Sequence, residues 1–208
     1  MSEHDTGITV VGTGSTESTP DLMTVDIGVS VRSATVTDAS SQTRQHASSL
    51  IEALTGAGLD RKDIATHNFS VHPEYDHRDG QQRLLGYRVA NELSVTIRDI
   101  AAAGSILDIA VSAVGDPVTI NRVQLSVEDE TAARDLAREA AWGDAVARAE
   151  HLARLADGTL GPAVSIIESA GAPVPPRPMM RTAIAEATPI EAGTASTTVT
   201  LEVRFALD

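Results

Sequence analysis

From Arg83 to Arg98 the odd positions carry Leu85, Tyr87, Val89, Leu93, Val95 and Ile97, while the even ones carry Gly86, Arg88, Glu92, Ser94, Thr96 and Arg98. A period of two held this long predicts a long β-strand with one buried and one wet face. The same alternation sets Val25, Ile27, Val29 and Val31 against Thr24, Asp26, Ser30 and Arg32, predicting a strand over 22–32. It returns in Thr197, Val199, Leu201, Val203, Phe205 and Leu207, a terminal strand regular enough to be paired inside a sheet. Together these segments predict a largely antiparallel sheet, apolar on one side. Shorter strands are expected at 8–12, 65–75 and 163–168, and Gly12 and Gly14 read as a turn between strands. Between Val118 and Val127 the apolar positions switch from even (Val118, Ile120) to odd (Val123, Leu125, Val127). One inserted residue near Asn121–Arg122 reconciles them, which predicts a β-bulge.

Three stretches follow the helical period instead. Asp38 stands as an N-cap before Thr43, Ala47, Leu50, Ile51 and Leu54, and Gly56 and Gly58 close that helix. Asp99 caps a second, with Ile100, Ala103, Leu107, Ala110, Val111 and Val114 inside and Gly115 at its end. The third, about 130–156, is seamed by Ala133, Leu136, Ala137, Ala140, Ala141, Ala145, Ala149, Leu152, Ala153 and Ala156. Side chains that small let a helix axis lie close to its partner. Glu130–Arg134, Asp144–Arg148 and Glu150–Arg154 place the acid four residues ahead of the base, the favoured order on an exposed face.

From Leu22 to Val127 the order is β-α-β-β-α-β, the split arrangement of ferredoxin-like folds. The expected class is α+β: a mostly antiparallel sheet with this core, helices on one face, one long extra helix and added strands. A single domain over 1–208 is expected, interrupted by an excursion at 171–193 that holds Pro173, Pro175, Pro176, Pro178 and Pro189.

This succession resembles the SIMPL domain family, which includes bacterial periplasmic immunogenic proteins. The likeness is carried by Ile8-Thr9-Val10 with Gly12 and Gly14, by Pro20-Asp21, and by Gly58 before Asp63-Ile64-Ala65-Thr66. Gly86-Tyr87 and Asn91 in the long strand and Leu160-Gly161 after the alanine helix complete it. The resemblance implies a non-enzymatic protein that assembles into a homo-oligomer, with a stress-associated or scaffold role. It brings no catalytic residues and no cofactor.

Composition narrows the partners. A formal charge of −13, with Lys62 the one lysine, disfavours nucleic acid and anionic membrane surfaces. The expected partner is the chain itself or another protein. Aromatic content of 2% leaves Ala, Val, Leu and Ile to fill the core. No cysteine is present, which removes disulfides and thiol chemistry. The N-terminal MSEHDTGITVVGTG has neither a basic stretch nor a long apolar one, so a cytoplasmic location is expected.

Candidate chemistry is sparse. His67, His72 and His77 lie with Glu74, Asp76 and Asp79, a possible metal set and the basis of an alternative reading as a small-ligand or metal-binding module over His67–Asp79. In one strand, however, His67 and His77 share a face about 33 Å apart while His72 points the other way. Gly12-Thr13-Gly14 lacks the third glycine and the following helix of a phosphate loop. The pairs Ser40-Ser41 and Ser48-Ser49 sit on a helix without a nucleophile elbow. Asn91, polar on an apolar strand face, is expected to hydrogen-bond a neighbouring backbone. Trp142, Ala145 and Ala149 on the long helix and Met179, Met180 and Ile184 in the excursion are the candidate subunit contacts.

Overall fold

The computed structural model describes residues 7–78, 81–170, 174–177 and 192–208. The chain is α+β and antiparallel, but its strands form two four-stranded sheets where one was expected. The described chain divides into two compact units. An inserted unit runs from Asp21 to Ser126, and a terminal unit is assembled from the segments before and after it.

The inserted unit holds β2 (Leu22–Ser33), α1 (Val36–Gly56), β3 (Ile64–Arg78), β4 (Gln81–Ile97), α2 (Ile100–Val114) and β5 (Val118–Ser126). Its strands lie in the order β3-β4-β2-β5, so the long alternating strand β4 is central. Met23, Val25, Ile27 and Val29 of β2 register with Ile97, Val95, Leu93 and Asn91 of β4, which puts the aliphatic positions of both strands on one face. Leu50 and Leu54 of α1 and Ile106, Leu107 and Ala110 of α2 close over that face in one core. Burying large aliphatic side chains stabilises by roughly 1.5–3 kcal/mol each. The bulge predicted in β5 is present: Asp26 pairs with Arg122 and Ile27 with Ile120, leaving Asn121 as the extra residue.

The caps differ in detail from expectation. Asp99 caps α2 and accepts the Ala102 N–H, as predicted. At α1, Thr35 rather than Asp38 is the N-cap; its hydroxyl oxygen accepts the Asp38 N–H, and Asp38 occupies the first turn. There its carboxylate also accepts the Thr35 hydroxyl and faces the positive helix end.

The terminal unit holds β1 (Gly7–Ser18), α3 (Thr131–Leu155), β6 (Leu160–Ala170), β7 (Val174–Arg177) and β8 (Thr194–Leu207). The order is β1-β8-β6, with β7 also paired to β8, so the regular C-terminal strand is internal as expected. Within the expected excursion at 171–193, most of which lies outside the described residues, Val174–Arg177 forms β7, where Val174 and Arg177 register with Ser196 and Thr194. Gly12 and Gly14 form no turn. They are buried in the middle of β1, which continues to Ser18.

Helix α3 packs on this sheet through Ala133, Ala137, Ala141, Ala145, Ala149 and Ala153, every fourth residue. Such a row forms one ridge oblique to the helix axis, suited to a twisted sheet. A Cβ built on Gly12 would come within 3.0 Å of the backbone at Ala141 and Ala145, and one on Gly14 within 3.0 Å of Ala137 and Ala141. Glycine in the strand and alanine in the helix therefore answer each other: backbone meets backbone because neither side puts a large side chain between. The remaining core is Val10, Val199, Leu201, Val203 and Phe205. Leu136 and Leu152, expected on the inner seam, are exposed instead because they fall outside the every-fourth row.

Candidate association surface

The expected subunit contacts fare unequally. Ala145 and Ala149 are wholly buried under their own sheet, 0% exposed, so neither can touch a second molecule without opening the core. Trp142 is 37% exposed, and its ring lies 5.8 Å from that of buried Phe205, tilted by 49°. It touches the core through Phe205 and leaves more than a third of its surface to solvent. Met179, Met180 and Ile184 lie outside the described residues.

The residues with the strongest claim to an association surface lie on β6. Val164, Ile166 and Ile167 are 63%, 57% and 55% exposed. Ile166 registers with Val203 and so faces the α3 side of the sheet, yet α3 lies mainly over β1 and β8 and reaches β6 chiefly through Arg138. Ile167 registers with Glu202 and faces the opposite side. Among the described residues each face of this strand thus shows one exposed isoleucine, Ile166 beside Glu168 on the α3 side and Ile167 between Ser165 and Ser169 on the other. A run such as Val164-Ser165-Ile166-Ile167 reads in sequence as a buried strand, so its exposure was not legible beforehand. Leu155, 70% exposed at the end of α3, adds to the apolar surface of this unit.

Polar contacts mark both borders of the sheet. Arg138 of α3 donates from Nε and Nη2 to the two carboxylate oxygens of Glu168 on β6, at 2.8 and 3.0 Å. These bonds hold the Glu168 carboxyl below its usual range and raise the Arg138 guanidinium further above its own. At the other border Asp144 accepts the Thr13 N–H at 2.9 Å and is gripped by Arg148. The Thr13 N–H is the larger cause, and the Arg148 guanidinium the next, of an Asp144 carboxyl held below the ordinary range. Beyond Asp144 an open groove of about 510 Å³ runs between β1 and α3, lined by Val10, Val11, Ala147, Arg148, His151 and Leu152.

The candidate metal set lies only partly within the described residues. Among the described residues no group of three or more His, Asp or Glu side chains could hold an ion. His67 falls at a register irregularity of β3 between Thr66 and Asn68, and His72 registers opposite Arg88. The side chain of His77, and Asp79 altogether, lie outside the described residues. Glu74 is held by Arg32 and Arg88, and Glu92 accepts the amides of Asn68 and Asn121, so these acids brace the open face of the inserted sheet. Asn91 does not make the expected bond through its oxygen: buried Oδ1 has no partner among the described residues.

Comparison with known proteins settles the family. The model of SIMPL, described as a protein of unknown function (DUF541), matches residues 8–205. The chain belongs to the SIMPL family. This SIMPL chain is 33% identical over 185 residues to the uncharacterized protein YggE of Escherichia coli strain K12, covering 89% of the chain and 74% of that protein. YggE of Edwardsiella ictaluri is 34% identical over 156 residues, 74% of this chain and 64% of that protein. The 26 kDa periplasmic immunogenic protein of Brucella melitensis is 29% identical over 221 residues, 99% of this chain and 86% of that protein. That relative overturns the expected cytoplasmic location, because it is named for the periplasm and points to export. Among the described residues no helix is long and apolar enough to cross a membrane.

Proposed function

We propose that this SIMPL protein is exported and acts as a non-catalytic, self-assembling scaffold, working through surfaces rather than through bond chemistry. The observation that carries this reading is β6, an edge strand among the described residues, with Val164, Ile166 and Ile167 each more than half exposed. An apolar edge left open is a template for pairing with another chain, which native proteins otherwise blunt or cover. Export is supported by the periplasmic name of the Brucella relative. A stress-associated role fits such a scaffold and rests on the family resemblance.

Size-exclusion chromatography with light scattering tests the assembly. A discrete particle of several chain masses at micromolar concentration is expected, and a clean monomer would overturn the reading. Fractionation of the native host tests export, with the protein expected in the periplasmic extract and its recovery with cytoplasmic markers counting against it.

A further inference from the structure

The two borders of the terminal sheet are built to opposite ends. On β1 the alternation of a strand turns every second N–H outward. The outward Thr13 N–H is already occupied by Asp144, and Arg148 fixes that carboxylate from the next turn of α3. A strand approaching β1 there would meet a charged side chain where it needs a free donor. Among the described residues no side chain takes an outward N–H of β6 over its second half, where the polar contact is between the Glu168 and Arg138 side chains. Its first half is blunted by Pro162 and by register shifts between Leu160 and Ala163 and between Ala163 and Ser165. From Ser165 to Ala170 the register with β8 is unbroken and no proline intervenes.

Charge indicates the occupant. Copies of a chain with a formal charge of −13 repel one another, so self-contact needs a neutral patch. Strand β6 has one ionisable residue, Glu168, and Arg138 answers it with two hydrogen bonds. An antiparallel edge is also complementary to itself under a two-fold rotation, the commonest symmetry of soluble oligomers. The geometry points to an isologous contact in which Ser165–Ser169 of β6 pairs with the same segment of a second copy, making one continuous sheet, while Asp144 guards β1 and stops further growth along that sheet. This deepens the self-assembly reading and rests on it. The pairing shields Ile166 and Ile167 and leaves a guarded β1 at each end.

The absence of cysteine allows a direct test on the full chain. Ile167→Cys, treated with a short bis-maleimide, is expected to give covalent dimers, and Ile167→Lys to halve the particle mass with an unchanged circular dichroism spectrum. Val11→Cys is expected to stay uncrosslinked, and to crosslink into ladders once Asp144→Ala is added, with particles growing beyond wild-type size. A wild-type monomer would defeat the self-assembly reading and this contact together. A wild-type assembly with no crosslink at Ile167 and no loss of mass in Ile167→Lys would defeat the β6 contact alone. Particles unchanged by Asp144→Ala would remove the guard.

Discussion

The two units solve one problem, seating a helix on a sheet, with opposite materials. In the inserted unit α1 and α2 stand off the strands on Leu50, Leu54, Ile106 and Leu107, and stability comes from large side chains removed from water. In the terminal unit α3 comes down onto β1 until Gly12 and Gly14 face the helix backbone, and stability depends on nothing projecting between. A core of the first kind fails when a side chain is removed. A core of the second kind fails when one is added.

The most damaging break of that contrast is expected from Gly12→Val. The new side chain meets backbone at Ala141 and Ala145, which cannot move aside as a flexible side chain would. A loss of more than about 4 kcal/mol is expected, at the severe end of overpacking. Urea unfolding followed through Trp142, the single tryptophan and a reporter placed in this unit, measures it. A midpoint within error of wild type would show that α3 does not lie as close as described.

Leu50→Ala probes the other strategy. Leu50 is fully buried at the centre of the inserted core, so a cavity should cost about 3 kcal/mol by the usual large-to-small range. Chemical denaturation followed by far-ultraviolet circular dichroism gives the value, and a change below 1 kcal/mol would mean that the core collapses into the gap. Smaller again is the cap. Thr35→Ala removes the acceptor of the Asp38 N–H at the start of α1, and about 1 kcal/mol should be lost. Thr35→Ser, which restores the oxygen, is expected to recover most of it.

The weakest handle is pH. In the terminal unit Asp129, Asp144 and Glu168 have carboxyls held below the ordinary range, by Thr131, by the Thr13 N–H with Arg148, and by Arg138. A pKa lower in the folded than in the unfolded state contributes stability above the unfolded value, about 4. That stability is lost as pH falls through the folded values. Solvent screening keeps each contribution modest at such exposed sites. Urea midpoints read through Trp142 should hold between pH 7 and 5 and fall towards pH 3. A midpoint that rises on acidification would contradict the assignment.

How much could be read beforehand depended on the range of the signal. The bulge at Asn121 was visible because a change of parity is recorded within one strand. Cap Asp99 was visible because capping is local, whereas Asp38 lost the role to Thr35 because both residues are competent and three apart. Gly12 and Gly14 were misread as a turn: glycine alone does not say whether the chain bends or another backbone comes close. Ala145 and Ala149 looked available for a partner because the helical period names a face but not what covers it. The strand at 163–168 was legible, but which of Val164, Ile166 and Ile167 would be covered was not, and the bond from the Thr13 N–H to Asp144 joins residues 131 positions apart.

Alternation and spacing alone determined that the chain makes one-sided antiparallel strands, two capped amphipathic helices and an alanine-ridged third, because those features depend on neighbours a few residues away. Only the tertiary structure decided that the strands divide between two sheets, that α3 lies over β1 and β8, and that Val164, Ile166 and Ile167 of β6 stand exposed while Asp144 takes the Thr13 N–H of β1. Those outcomes depend on which distant segments meet, and short-range patterning places no constraint on that choice.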